Sequence, residues 1–181
     1  MPKRKRANRN LRNTRRKVQV PTRFPLRRIL LGIAVLFLAL QAYPFYIHSS
    51  IGQLMSSWNA GLLWGVLKAV GQEVSLENTA VVTEVTRFVI IPECTIFAPL
   101  SLLVAGVLVF PSKALHKVQA ILLGTFLLSV LNLIRLISLH IALSVSPGSF
   151  EPLHLFIWQP IMAIASLLLW GVWAERQTRY A

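Results

Sequence analysis

Residues 118–145 read VQAILLGTFLLSVLNLIRLISLHIALSV, an apolar run whose only formal charge is Arg135. About twenty apolar residues carry a helix across a ~30 Å hydrocarbon core. The run therefore predicts a transmembrane helix, long enough to tilt or to project beyond the bilayer. Outward from it lie three further runs of the same kind. They cover 29–47 (ILLGIAVLFLALQAYPFYI, softened by Gln41 and Pro44), about 94–112 and about 153–174. Residues 51–70 differ, because Gln53, Ser56, Ser57, Asn59 and Lys68 interrupt their apolar and Trp residues. This segment reads as an amphipathic or half-inserted helix. The expected fold class is all-α: a polytopic transmembrane helical bundle of about four spanning helices plus that segment.

Composition agrees. Hydrophobic residues make up 55% of the 181 positions and charged residues only 14%, against roughly 25% charged in soluble domains. Mean hydropathy is +0.60. The net charge of +13 is concentrated: twelve of nineteen Lys and Arg lie in residues 1–28, a stretch without one acid. Three regions follow: a basic, disordered cytoplasmic arm (1–28), an integral membrane helical domain (29–174) and a short cytoplasmic tail (175–181). The arm reads as a topology determinant that touches anionic lipid headgroups. Nucleic-acid binding is not expected, since no aromatic residue interrupts the basic run before Phe24. The arm is too long for a signal-peptide n-region and no small-residue cleavage site follows 29–47, so that run is expected to be retained.

Charge also sets orientation. With the arm inside, four crossings return the C-terminus to the cytoplasm. Lys113 and Lys117 in the loop PSKALHK, and Arg176 and Arg179 in the tail, then fall inside. Glu73, Glu77, Glu84, Glu93 and Glu151 fall outside. A full crossing by 51–70 would invert every basic loop, which argues against it. The expected location is a cell membrane, with the N-terminus in the cytoplasm.

This topology gathers chemistry. Cys94, the only cysteine, opens the second span from outside, and His154 opens the last one. Arg135 lies seventeen residues into its helix, about 25 Å from the cytoplasmic face. Three helices thus bring a thiol, a guanidinium and an imidazole to one depth. Ionisable residues inside spans are costly and mark functional sites. A thiol at a helix start is favoured as thiolate by the dipole, although Glu93 opposes this. Thr95 is a candidate to position the sulfur or donate to an oxyanion. Asn132 shares a helical face with Arg135, which favours an interior polar site over a snorkelling side chain. His154 is suited to shuttle a proton. His140 faces elsewhere on the Arg135 helix. One Cys and scattered His match no zinc spacing, so no metal and no cofactor are expected.

The segment PECT with Cys94, then NLIRL with Asn132 and Arg135, then His154 ahead of an apolar helix resembles the exosortase/archaeosortase family. The resemblance covers roughly residues 80–174 and suits a compact member. It implies a membrane cysteine transpeptidase or protease. Cys94 would be the nucleophile, with Arg135 and His154 its partners. The substrates would be membrane-anchored secreted proteins with a C-terminal sorting signal. They would be cut near the outer membrane face and passed to an acceptor through a thioester. The competing readings are a non-enzymatic membrane scaffold or assembly factor, and a small anion transporter using Arg135.

Overall fold

The computed structural model describes residues 26–179. The basic arm lies almost wholly outside them. Six helices and a small sheet follow one another: α1 Leu26–Ile47, α2 Ser50–Ala69, strands β1 Ser75–Glu77, β2 Ala80–Val82 and β3 Arg87–Val89, a 3-10 turn Pro92–Cys94, α3 Phe97–Val109, α4 Ala114–Val145, α5 Pro147–Pro152, a π-helical segment Leu153–Trp158, and α6 Gln159–Arg179. The fold is an all-α membrane helical bundle. Three of its helical stretches, 29–47, 114–145 and 147–179, are long and apolar enough to cross a membrane.

The second expected span is shorter than its apolar run. The α-helix there has 13 residues, Phe97–Val109, about 20 Å of rise. Proline sets both limits. Pro92 opens the 3-10 turn, and Phe110, which precedes Pro111, is extended (ψ 137), as the residue before a proline prefers. α3 is the centre of the bundle, packed against α1, α4 and α6. The close approaches are made over glycine. A Cβ at Gly32 would meet Val109, one at Gly106 would meet Trp170, and one at Gly124 would meet Leu103, at 2.2 to 2.8 Å.

These contacts fix the direction of each helix. The end of α3 lies beside the start of α1, the start of α4 and the last turns of α6. There Lys117 Nζ donates to the Leu108 carbonyl, and His116 meets Gln177. The four helices therefore alternate up and down. Lys113, Lys117, Arg176 and Arg179 gather at one end. α6 runs to Arg179, past the boundary expected at 174.

The other end carries the sheet, which the periodicity of the chain did not announce. Its strands form an antiparallel meander, with Glu77 opposite Ala80 and Val81 opposite Phe88. Asn78, at φ 53, makes the first turn, a conformation asparagine tolerates better than most residues. Val81 and Phe88 face a core shared with Ala60, Leu63, Leu67, Ile90, Cys94, Leu136 and Leu139. A separate core of Leu103, Val107 and Leu128 lies deeper in the bundle. α4 explains the division: its 32 residues span about 48 Å, so its last turns outrun a bilayer core and serve the sheet.

α2 buries Gly52, Ser56, Ala60, Leu63 and Leu67, a stripe at helical spacing. Its opposite face exposes Ile51, Leu54 and Trp58. Small residues inside its first half (Gly52, Ser56, Ala60) and large apolar ones outside suit a helix in lipid or at its surface. Gly52 is the tightest point, because a Cβ there would lie 2.3 Å from the Tyr46 carbonyl oxygen. Gly52→Ala is expected to lower thermal stability by about 1–3 kcal/mol. Gly61, with nothing within 4 Å, is the control: Gly61→Ala should be neutral or stabilising by up to about 1 kcal/mol. Thermal unfolding in detergent compares the two.

Candidate active site

Arg135 lies on α4 and is only 4% exposed. A snorkelling arginine would reach headgroups and be exposed, so the burial decides against that reading. One guanidinium nitrogen, Nη2, donates to His154 Nε2 at 2.7 Å. Nη1 reaches Asn132 Oδ1 at 3.4 Å, and Nε has no partner. The only ion pairs among the described residues are Arg87–Glu77 and Arg179–Glu175, both exposed. Arg135 is thus a buried cation without a carboxylate, holding donors in reserve.

A relay fixes its orientation. Asn132 Nδ2 donates to Asn59 Oδ1 at 3.0 Å, and Asn59 Nδ2 donates to the Met55 carbonyl at 2.7 Å. Each amide is thereby assigned one way round. Asn59 was visible in the sequence only as one polar residue among several in a mixed helix. Nothing in the spacing pairs α2 with α4. In a double-mutant cycle, Asn59→Ala and Asn132→Ala should show a stability coupling of about 0.5–1.7 kcal/mol.

The π-helical segment places His154. Gln159 N–H bonds the His154 carbonyl five residues back rather than four. Pro160 supplies the reason: it has no N–H for the Phe156 carbonyl, and its ring crowds that carbonyl in a regular helix. The wider turn accommodates both, and such bulges recur at functional sites. Because a guanidinium only donates, His154 Nε2 is the acceptor, so the imidazole is not doubly protonated in this arrangement.

Cys94 is 4% exposed and shares its core with Leu136 and Leu139 of the Arg135 helix. It does not sit at an α-helix N-terminus, as its place at the head of an apolar run predicts. It closes the 3-10 turn, before the extended Thr95 and the N-cap Ile96. The dipole argument for thiolate therefore fails. Burial pushes the Cys94 thiol up, the Arg135 charge opposes this, and Glu93 adds to the rise. Arg135, not a helix end, is the cation that favours ionisation. No hydrogen bond joins the Cys94 sulfur to His154 among the described residues, since His154 Nε2 is engaged by Arg135.

Thr95 also departs from expectation. Its hydroxyl donates to the Pro92 carbonyl at 2.7 Å, which spends its only proton. The 2.7 Å contact with Tyr46 then has the tyrosine as donor. Thr95 locks the cysteine turn and is not free to donate to an oxyanion. Tyr46 further stacks on Phe97, with centroids 4.2 Å apart. It thus ties α1 to this turn, a role the sequence did not disclose. His140 lies away from the cluster, against Phe88. Among the described residues no group of three or more His, Cys, Asp or Glu is placed to hold a metal ion.

No family model, no curated protein and no solved structure matches the chain.

Proposed function

We propose that the chain is an exosortase-like membrane cysteine transpeptidase or protease. On this reading it cleaves the C-terminal sorting signals of membrane-anchored proteins and transfers the new C-terminus to an acceptor. The observation that carries the reading is the buried Arg135 guanidinium. It has no carboxylate partner among the described residues, it keeps spare N–H donors, and its charge acts on the thiol of Cys94. A cation held that way is prepared for negative charge that develops during reaction. The orientation that supports the reading has the Lys- and Arg-rich end in the cytoplasm of a prokaryote and the sheet end outside.

The chemistry then runs in order. The scissile carbonyl oxygen takes hydrogen bonds from Arg135. That contact releases His154 Nε2, which accepts the Cys94 proton. The thiolate attacks the carbonyl carbon, and the oxyanion is held by the guanidinium. His154 returns its proton to the leaving amine as the C–N bond breaks, leaving a thioester on Cys94. An acceptor amine, or water, resolves it.

The test is co-expression with a tagged secreted protein ending in a sorting motif, a transmembrane helix and a basic cluster. The expected result is a shortened product that has lost the helix. Full-length substrate beside abundant, folded protein, together with anion flux in liposomes that Arg135→Ala abolishes, would favour the transporter reading instead.

A further inference from the structure

A second polar site lies on the other side of α4. A cleft of about 450 Å³ opens between the end of α4, the segment after α2 and the β2–β3 turn. Its volume falls in the ~300–1,000 Å³ range of ligand clefts. Its rim carries Glu73 and Glu84, both exposed. Neither has a cationic partner within ion-pair distance among the described residues. Its wall includes Val85, Ile141 and Val145, which are 79%, 51% and 80% exposed.

The third feature is His140. The side chain is 2% exposed and forms part of the cleft lining. Its Nδ1 is buried without a hydrogen-bond partner. The Ser144 hydroxyl donates to the His140 carbonyl and is not bonded to this nitrogen. Buried polar groups are nearly always hydrogen-bonded, and an exception calls for an explanation. The ring lies beside Phe88, with centroids 6.1 Å apart.

We infer that this cleft binds a basic side chain, a lysine or arginine of an extended peptide. Its aliphatic stem would lie along Val85, Ile141 and Val145, and its cationic head would sit between Glu73 and Glu84. The peptide backbone would supply the hydrogen bond that His140 lacks. Long basic side chains combine an apolar stem with a charged head in this way. The inference does not rest on the chemistry proposed for Cys94, and it stands or falls separately from it.

The experiment uses the full chain in nanodiscs of zwitterionic phosphatidylcholine. The probe is a fluorescein-labelled peptide, Gly-Lys-Gly-Lys-Gly, followed by anisotropy. The expected result is saturable binding that is lost when both lysines are acetylated. Glu73→Gln with Glu84→Gln should weaken it about fivefold or more. His140→Phe, which keeps a ring against Phe88, should weaken it about threefold or more, and His140→Gln serves if the phenylalanine variant misfolds. Cys94→Ala and Glu77→Gln should leave it unchanged. Binding that is not saturable, or that survives the double glutamate substitution, would overturn the inference.

Discussion

Membranes carrying Cys94→Ser or Cys94→Ala should leave a sorting-signal precursor at full length, with processing slowed by about 10³-fold or more. Loss of a nucleophile removes the covalent route itself. Serine retains a hydroxyl of similar shape but lacks the intrinsic nucleophilicity of sulfur at this site. Both side chains are no larger than the one they replace, so folding should be little affected. The same thiol sets a pH dependence. Burial raises it and Arg135 opposes the rise, so the thiolate fraction is small at neutral pH and grows as pH rises. Single-turnover cleavage should therefore climb from pH 7 into the alkaline range. A rate that falls over that interval would point to a different nucleophile.

Arg135→Lys and Arg135→Met should both reduce processing by about 10²-fold to 10³-fold. Lysine keeps the charge but loses the planar fork that spans Asn132 and His154. Stability should move the other way. A buried guanidinium without a carboxylate is costly to desolvate, and an apolar side chain of similar length removes that cost. Arg135→Met is expected to unfold at the same temperature as the native chain or above it. A scaffold role predicts the reverse pattern, in which stability falls and drags function with it. Thermal unfolding and processing measured on one preparation separate the two.

Much of the fold was legible because hydropathy and length constrain membrane helices strongly. Residues 29–47, 118–145 and 153–174 all fall within helices. The departures have local causes. Pro92 and Pro111 cut the second apolar run down to α3, and hydropathy alone does not register proline geometry. Strands of three residues leave too little alternation in 75–89 to stand out from a polar loop. The sheet is held by packing of Val81 and Phe88 on α2 and α4, which only the fold brings together. Within the site, Arg135, Asn132 and His154 were conspicuous as polar residues in apolar runs, and they share one hydrogen-bonded cluster. Asn59 and Tyr46 were hidden, the first in a mixed helix and the second near the end of an ordinary apolar one. Their importance comes from partners 73 and 49 residues away in sequence. The direction of His154 toward Arg135 rather than the thiol depends on a π turn whose sequence mark is Pro160.

The account rests most directly on a thioester at Cys94. Purified protein in native-like membranes should be mixed with a substrate carrying a sorting signal, quenched in acid within one turnover, digested, and mapped by mass spectrometry. The account predicts the peptide containing Cys94 with the substrate's new C-terminus attached through sulfur, released by neutral hydroxylamine. Cleaved substrate with an unmodified Cys94 peptide at every quench time, and cleavage undiminished in Cys94→Ala, would contradict it.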